Sequence, residues 1–259
     1  MVLRSKKLAL LWCAAIMLLT VLLSSGVALA ITYGQPDANK HPNVGALVGT
    51  FDGQTYPYCS GTLISPTVFL TAAHCGEDGS TVYVTFDSTY TSKSKLYTGT
   101  FYSDPLYNQS QNDPHDIAVV VFDKPIKGIE PAQLPTLGQF DQVDKDQQFT
   151  AVGYGGQEAV DQPGGPVIGY LDTREYAVST FNSVGPGYLR LSQNPATGNG
   201  GTCYGDSGGP NFLGAGPTET DIIAGITITG DALCKSTNVI YRLDTESARE
   251  FLSQYVAVP

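Results

Sequence analysis

Short runs rich in Val, Ile, Thr, Tyr and Phe recur along most of this chain: Val44 to Thr50, Thr62 to Thr71, Thr81 to Phe86, Ile117 to Phe122, Gln148 to Val152, Tyr188 to Leu191 and Ile222 to Thr229. Gly, Pro, Asn and Asp separate them at short intervals. β-branched and aromatic side chains suit a pleated, half-buried surface, so these runs predict strands. Helical spacing emerges at the C-terminal end, where Thr245 to Val256 sets Ala248, Phe251, Leu252 and Tyr255 on one face. The pattern predicts an all-β body followed by one helix, with barrels and sandwiches both open. Gly153 to Gly169, rich in Gly and Pro, predicts a surface loop. No internal repeat or charge run interrupts the pattern.

The first 30 residues follow another logic. Arg4, Lys6 and Lys7 precede an apolar run from Leu8 to Leu23, and Ala28-Leu29-Ala30 closes the segment. A basic start, a short apolar stretch and a small-x-small site predict a signal peptide cut after Ala30 and a secreted protein. The run is short for a membrane span, which needs about 20 residues. Removing it changes the charge from −10 to −13, because 11 basic residues then face 24 acidic ones. So acidic a surface repels phosphate backbones and anionic lipid heads, which argues against nucleic-acid or membrane partners. A hydrophobic content of 42% is ordinary for a chain that buries a core.

Cysteine usage agrees with export. Cys13 lies in the signal, leaving Cys59, Cys75, Cys203 and Cys234. An even set in an exported protein reads as two disulfides, for which four cysteines allow three pairings. Neither a Cys-x-x-Cys pair nor clustered histidines point to a metal site, so no metal or cofactor is expected. Asn108-Gln109-Ser110 is an N-glycosylation pattern, relevant in a eukaryotic secretory route.

The strongest chemical signal is Gly205-Asp206-Ser207-Gly208-Gly209-Pro210. A glycine-flanked serine on a tight turn lets a carbonyl approach while main-chain N–H groups converge on it. A serine hydroxyl is a weak nucleophile until a base takes its proton. Of His41, His74 and His115, only His74 follows a strand-like run and adjoins a disulfide cysteine, in Thr71-Ala72-Ala73-His74-Cys75. The imidazole in turn needs a carboxylate to fix its tautomer, and Asp116 stands at the mouth of the apolar run Ile117 to Phe122. His115 reads as a neighbour without a catalytic role, and His41 as a loop residue.

Together these segments, with Cys59-Ser60-Gly61-Thr62-Leu63-Ile64 and Gly153-Tyr154-Gly155, resemble the chymotrypsin-like, or trypsin-like, serine peptidases over essentially Ile31 to Val256. The order His, Asp, Ser is also similar. The resemblance implies two six-stranded antiparallel barrels, at Ile31 to Pro135 and Thr136 to Leu243, with a C-terminal helix and tail beyond and the catalytic groups in the cleft between. It implies disulfides Cys59–Cys75 and Cys203–Cys234, a catalytic triad of His74, Asp116 and Ser207, and an oxyanion site formed by the N–H groups of Gly205 and Ser207. Gly201, six residues before the serine, is expected at the bottom of the specificity pocket, with Thr202, Gly230 and Val239 in its walls. An uncharged base and a valine in the wall predict cleavage after small or medium uncharged side chains. Polypeptide substrates and protein inhibitors are the expected partners of a monomer. The implied activation pairs the ammonium of Ile31 with Asp206, and Ile31 follows Ala30 directly, so the signal cut itself is expected to create the active end. One departure stands out. Ile228 occupies the place of a serine that donates to the triad aspartate, so another donor, a shift of register to Thr227 or Thr229, or a less ordered triad is expected.

Two rival classes remain on the residues alone. A non-catalytic binding protein on the same scaffold would usually lack a triad member, and none is missing. A lipase-like acyl hydrolase would present its serine on a strand-to-helix elbow in an α/β chain, and that context is absent.

Overall fold

The computed structural model describes residues 31–157 and 159–259. The expected signal peptide, its cut after Ala30 and Cys13 lie outside the described residues. Twelve strands form two closed, six-stranded antiparallel barrels. The first contains β1 (Val44–Phe51), β2 (Gln54–Ser65), β3 (Val68–Thr71), β4 (Thr81–Thr85), β5 (Tyr97–Ser103) and β6 (Ala118–Phe122), in the order β1-β2-β3-β6-β5-β4, with β4 returning to β1. The second contains β7 (Gln148–Gly153), β8 (Glu175–Val184), β9 (Tyr188–Ser192), β10 (Pro210–Leu213), β11 (Ile223–Gly230) and β12 (Thr237–Arg242), closed as β7-β8-β9-β12-β11-β10.

The predicted run Thr62 to Thr71 is broken by Pro66, which has no N–H for a ladder, so β2 and β3 become a hairpin with Ser65 facing Val68. Pro57 is accommodated in β2 where the register against β1 shifts between Leu47 and Val48. The loop predicted at Gly153 to Gly169 carries a small hairpin of Val160–Gln162 and Gly165–Val167. Helix α1 (Glu246–Leu252) is shorter than its predicted span. Thr245 caps it by accepting from the Ala248 N–H, and Ala248, Phe251 and Leu252 are buried as the spacing implied.

One apolar core fills the first barrel around Leu47, Phe69 and Phe101 and continues across the interface through Val152, Phe212 and Tyr241. A smaller cluster around Phe149, Leu191 and Ile240 fills the second barrel. Each terminal segment straps the opposite barrel. Gln35 and Pro36 pair with β8, Thr32 bridges Gly201, and Tyr255 beyond α1 stacks on Tyr102 of β5 at 5.9 Å.

The N-terminal strap is held by charge. His41, although outside the strands as expected, is only 7% exposed. Its Nδ1 contacts Asp37 and its Nε2 lies 2.7 Å from Glu219 Oε1, while the ring stacks on Phe212 at 5.4 Å. Asp37 also receives Arg174 Nε at 2.8 Å, Glu219 receives the Thr150 hydroxyl at 2.6 Å, and Lys40 and Tyr176 close the cluster from outside. Burial works against the His41 charge, but hydrogen bonds to Asp37 and Glu219 and their negative charges outweigh it and raise the pKa. For Asp37 and Glu219 burial is likewise outweighed, chiefly by the His41 hydrogen bond, and both are lowered. The His41 contribution is therefore complete below the free imidazole value of about 6.5 and lost as pH rises through the raised one; the carboxylate contributions fail as pH falls below theirs. His41→Ala is expected to cost about 2 kcal/mol in urea unfolding at pH 5.5, because it removes a charged hydrogen-bond partner of Asp37 and Glu219, which keep Arg174 and the Thr150 hydroxyl. The gap from the unsubstituted protein should narrow at pH 9, and a gap independent of pH would contradict the charged clasp.

Candidate active site

His74 lies in a short 3₁₀ turn, Ala73–Cys75, that follows β3, and the Cys59–Cys75 disulfide ties that turn to β2. Asp116 stands just before β6, which pairs with β3 so that Thr71 faces Ala118. That register brings the two side chains together. Asp116 is fully buried, its Oδ1 accepting from the His74 backbone N–H at 3.0 Å and its Oδ2 from Nδ1 at 2.8 Å. With Nδ1 donating to the carboxylate, Nε2 is the nitrogen left to accept a proton. His115 has positive φ (51°) and its Nδ1 lies 2.9 Å from Asp104, whose N–H donates to Ile117, so the loop leading into Asp116 is cinched at its base. Ile228 offers no hydroxyl, and the Thr227 hydroxyl is engaged by Asn211 Nδ2 at 3.0 Å. Among the described residues both hydrogen bonds to Asp116 come from His74, so the register shift to Thr227 or Thr229 does not supply a donor.

The Ser207 turn is docked onto this pair through Ser60. The Ser60 N–H donates to the Ser207 carbonyl at 2.8 Å, its hydroxyl donates to the Gly205 carbonyl at 3.0 Å, and the same oxygen accepts from the Tyr154 N–H at 3.0 Å. Ser60 thus joins β2, the end of β7 and the serine turn, a role that no chemical pattern in the sequence disclosed. Gly208 has φ of 78°, and a Cβ there would stand 2.5 Å from the Ser60 carbonyl oxygen and 2.7 Å from the Ala72 nitrogen. Only glycine lets the turn seat against the segment that carries His74. Among the described residues, the N–H groups of Gly205 and Ser207 donate to no protein acceptor, which leaves both for an incoming oxygen.

Asp206 is fully buried beneath the turn and accepts from Gly155 N–H and Cys203 N–H, each at 2.8 Å. Gly155 is required there, since its Cβ would fall on the carboxylate. Burial is the main cause that pushes Asp206 up to about 7; its two N–H donors oppose this and the charge of Glu175 adds to it. No cation faces it among the described residues. Ile31 is fully buried and the Gly201 N–H donates to Thr32 at 3.0 Å, so the strap runs beside the segment leading to Asp206.

A family profile described as Trypsin matches residues 34–249, most of the chain. The chain belongs to the trypsin family. A trypsin from Phaedon cochleariae is 31% identical over 115 residues, covering 41% of this chain and 43% of that protein, so the match spans under half the relative's length. The two-barrel fold and both disulfides, Cys59–Cys75 and Cys203–Cys234, agree with membership of the trypsin family.

Beside His74 and Ser207 opens a cavity of about 330 Å³. One wall is Thr202, Cys203 and Tyr204, the other Thr227 to Asp231, with Cys234 adjoining. Thr202 and Gly230, both expected in the specificity pocket, are among the cavity's lining residues. Gly201 and Val239 are not among the lining residues: Gly201 is buried, and Val239 sits in β12 paired with Thr229 and Arg190. Asp231 is the carboxylate on this surface, and its oxygens accept from the N–H groups of Lys235, Ser236 and Thr237 and from Gln193 Nε2. Burial would raise its pKa, but those donors outweigh it and lower the value. Ser207 also borders a groove of about 950 Å³, lined by Phe51, Tyr56, Tyr58, Tyr170 and Tyr204 together with His74 and Gly205.

Proposed function

We propose that this member of the trypsin family is a secreted serine endopeptidase that cleaves after small or medium uncharged residues. The observation that carries the reading is the docking of the Ser207 turn, with two unengaged N–H groups, against a His74–Asp116 pair that leaves Nε2 as the base. Ser207 Oγ attacks the scissile carbonyl carbon while its proton passes to His74 Nε2, and the oxygen that gains the negative charge faces the N–H groups of Gly205 and Ser207. Collapse breaks the C–N bond, the imidazolium gives its proton to the leaving amine, and water repeats the sequence to release the acid. Asp116 holds the ring throughout. Cavity and groove both border Ser207, which leaves room for more than one residue of a bound chain around the scissile bond, as an endopeptidase requires. Four surrounding donors, the N–H groups of Lys235, Ser236 and Thr237 and Gln193 Nε2, hold the Asp231 carboxylate, which leaves it a poorer partner for a Lys or Arg side chain. Cleavage-site profiling of the protein beginning at Ile31, against a peptide library carrying every side chain before the cut, is expected to return Ala, Val, Ser and Thr. Dominant cleavage after Arg or Lys would refute the uncharged pocket.

A further inference from the structure

Gln193 follows β9 and is fully buried, an uncommon fate for a primary amide unless its groups are paired. Both ends are. Oε1 accepts from the Thr202 N–H at 2.8 Å, and Nε2 donates to Asp231 Oδ1 at 3.4 Å. Thr202 belongs to one wall of the cavity beside Ser207 and Asp231 to the other, so this one side chain ties the two walls together from behind. Its own backbone is fixed by the Gln193 N–H donating to Ser236 at 2.9 Å. The decisive contact is with Gly201. A Cβ built on Gly201 would stand 2.6 Å from Gln193 Cβ and collide with Oε1, so the glutamine occupies the space a side chain at 201 would take.

We infer that Gln193 determines specificity from behind this cavity: its side chain, although not itself a lining residue, fills the room behind Gly201 and Thr202 and thereby limits the residue before the scissile bond to a short one. The inference rests on the peptidase reading above. It assigns the shallow pocket to a buried amide from a distant loop rather than to Val239, which lies off the cavity. The amide satisfies the Thr202 N–H without bringing a charge, and its donor end faces the Asp231 carboxylate.

The test is the ratio of kcat/KM for peptides differing only in Leu or Ala before the cut. Both substrates are read on one enzyme sample, so the ratio does not depend on how much of a variant folds. Gln193→Ala is expected to raise the Leu:Ala ratio at least tenfold, and Gln193→Asn, one methylene shorter and milder to the fold, to raise it by less. Gln193→Met keeps the volume without the hydrogen bonds and should stay within about twofold of the starting ratio, since occupied space rather than polarity sets the limit. An unchanged ratio in both shortened variants overturns the role of Gln193 while leaving the peptidase reading intact. A starting protein that hydrolyses no peptide removes the peptidase reading and the specificity role with it.

Discussion

Ser207→Ala is expected to lower kcat for peptide hydrolysis by roughly 10⁶, the scale of losing the nucleophile when serine and histidine act as one unit. The size of that loss follows from the geometry. The Ser207 turn is anchored by its backbone, through Ser60 to the Ser207 carbonyl and through the Gly208 N–H to the Thr227 carbonyl at 2.7 Å, while Ser207 Oγ takes part in none of these bonds. Removing the hydroxyl therefore leaves the fold and the free N–H groups in place, and unfolding in urea should shift little. Residual hydrolysis of about 10³ to 10⁴ over water would persist from those N–H groups and from binding. A fluorophosphonate probe should label the protein that begins at Ile31 and not its Ser207→Ala variant. Equal labelling of the two would remove Ser207 as the nucleophile.

What the chain discloses of itself depends on whether a signal is local. The runs Ile117 to Phe122 and Thr81 to Phe86 become β6 and β4 because apolar, β-branched residues fill them almost without interruption. Tyr97–Ser103 escaped notice: its polar residues face out, and Gly99 is present because a Cβ there would strike Val121 of the neighbouring strand. Nothing within seven residues of Gly99 announces that neighbour. The same division runs through the site. His74, Asp116 and Ser207 are legible because each sits in a short stretch whose neighbours serve the same turn or strand. Gln193, Ser60 and the His41 clasp are not, because each matters through partners brought from other strands and loops by barrel closure. Arg174 is the extreme case, fully buried between Asp37, Asn39 and the carbonyls of Val44 and Phe86, with no mark in its own surroundings. Even the Ile228 departure was readable only as a question. Its answer, an aspartate held by two bonds from the same histidine, required the register of β3 against β6.

A protein that begins at Ile31 is expected to turn over peptide substrate at least 100-fold faster than one carrying a single extra residue before Ile31. The argument starts from Asp206, a fully buried carboxylate with two N–H donors and a pKa pushed up to about 7. In the full chain the Ile31 nitrogen is an amide and brings no charge. Cutting after Ala30 converts it to an ammonium on the strap that bridges Gly201, and a buried anion is stabilised strongly by an opposite charge. Pairing then holds the Asp206 carboxylate in one orientation and with it the adjoining Gly205 N–H, and loss of one such donor costs about 10² to 10³ in kcat. The pH dependence separates this from a merely steric effect of the added residue. In the extended protein Asp206 keeps its raised pKa, so the stability it allows is complete below about 3.9 and is lost as pH rises through about 7. In the Ile31 protein the ammonium is the group raised, above its free value of about 7.7 to 8.0, and its stabilisation is complete below that value and fades as pH rises through the raised one. The difference in urea midpoint between the two proteins should therefore be largest near pH 7 to 8. It should close in acid, where Asp206 is protonated in both, and again in strong alkali, where the ammonium is lost. Equal turnover by the two proteins, or a midpoint difference that does not move with pH, would sink the pairing of Ile31 with Asp206.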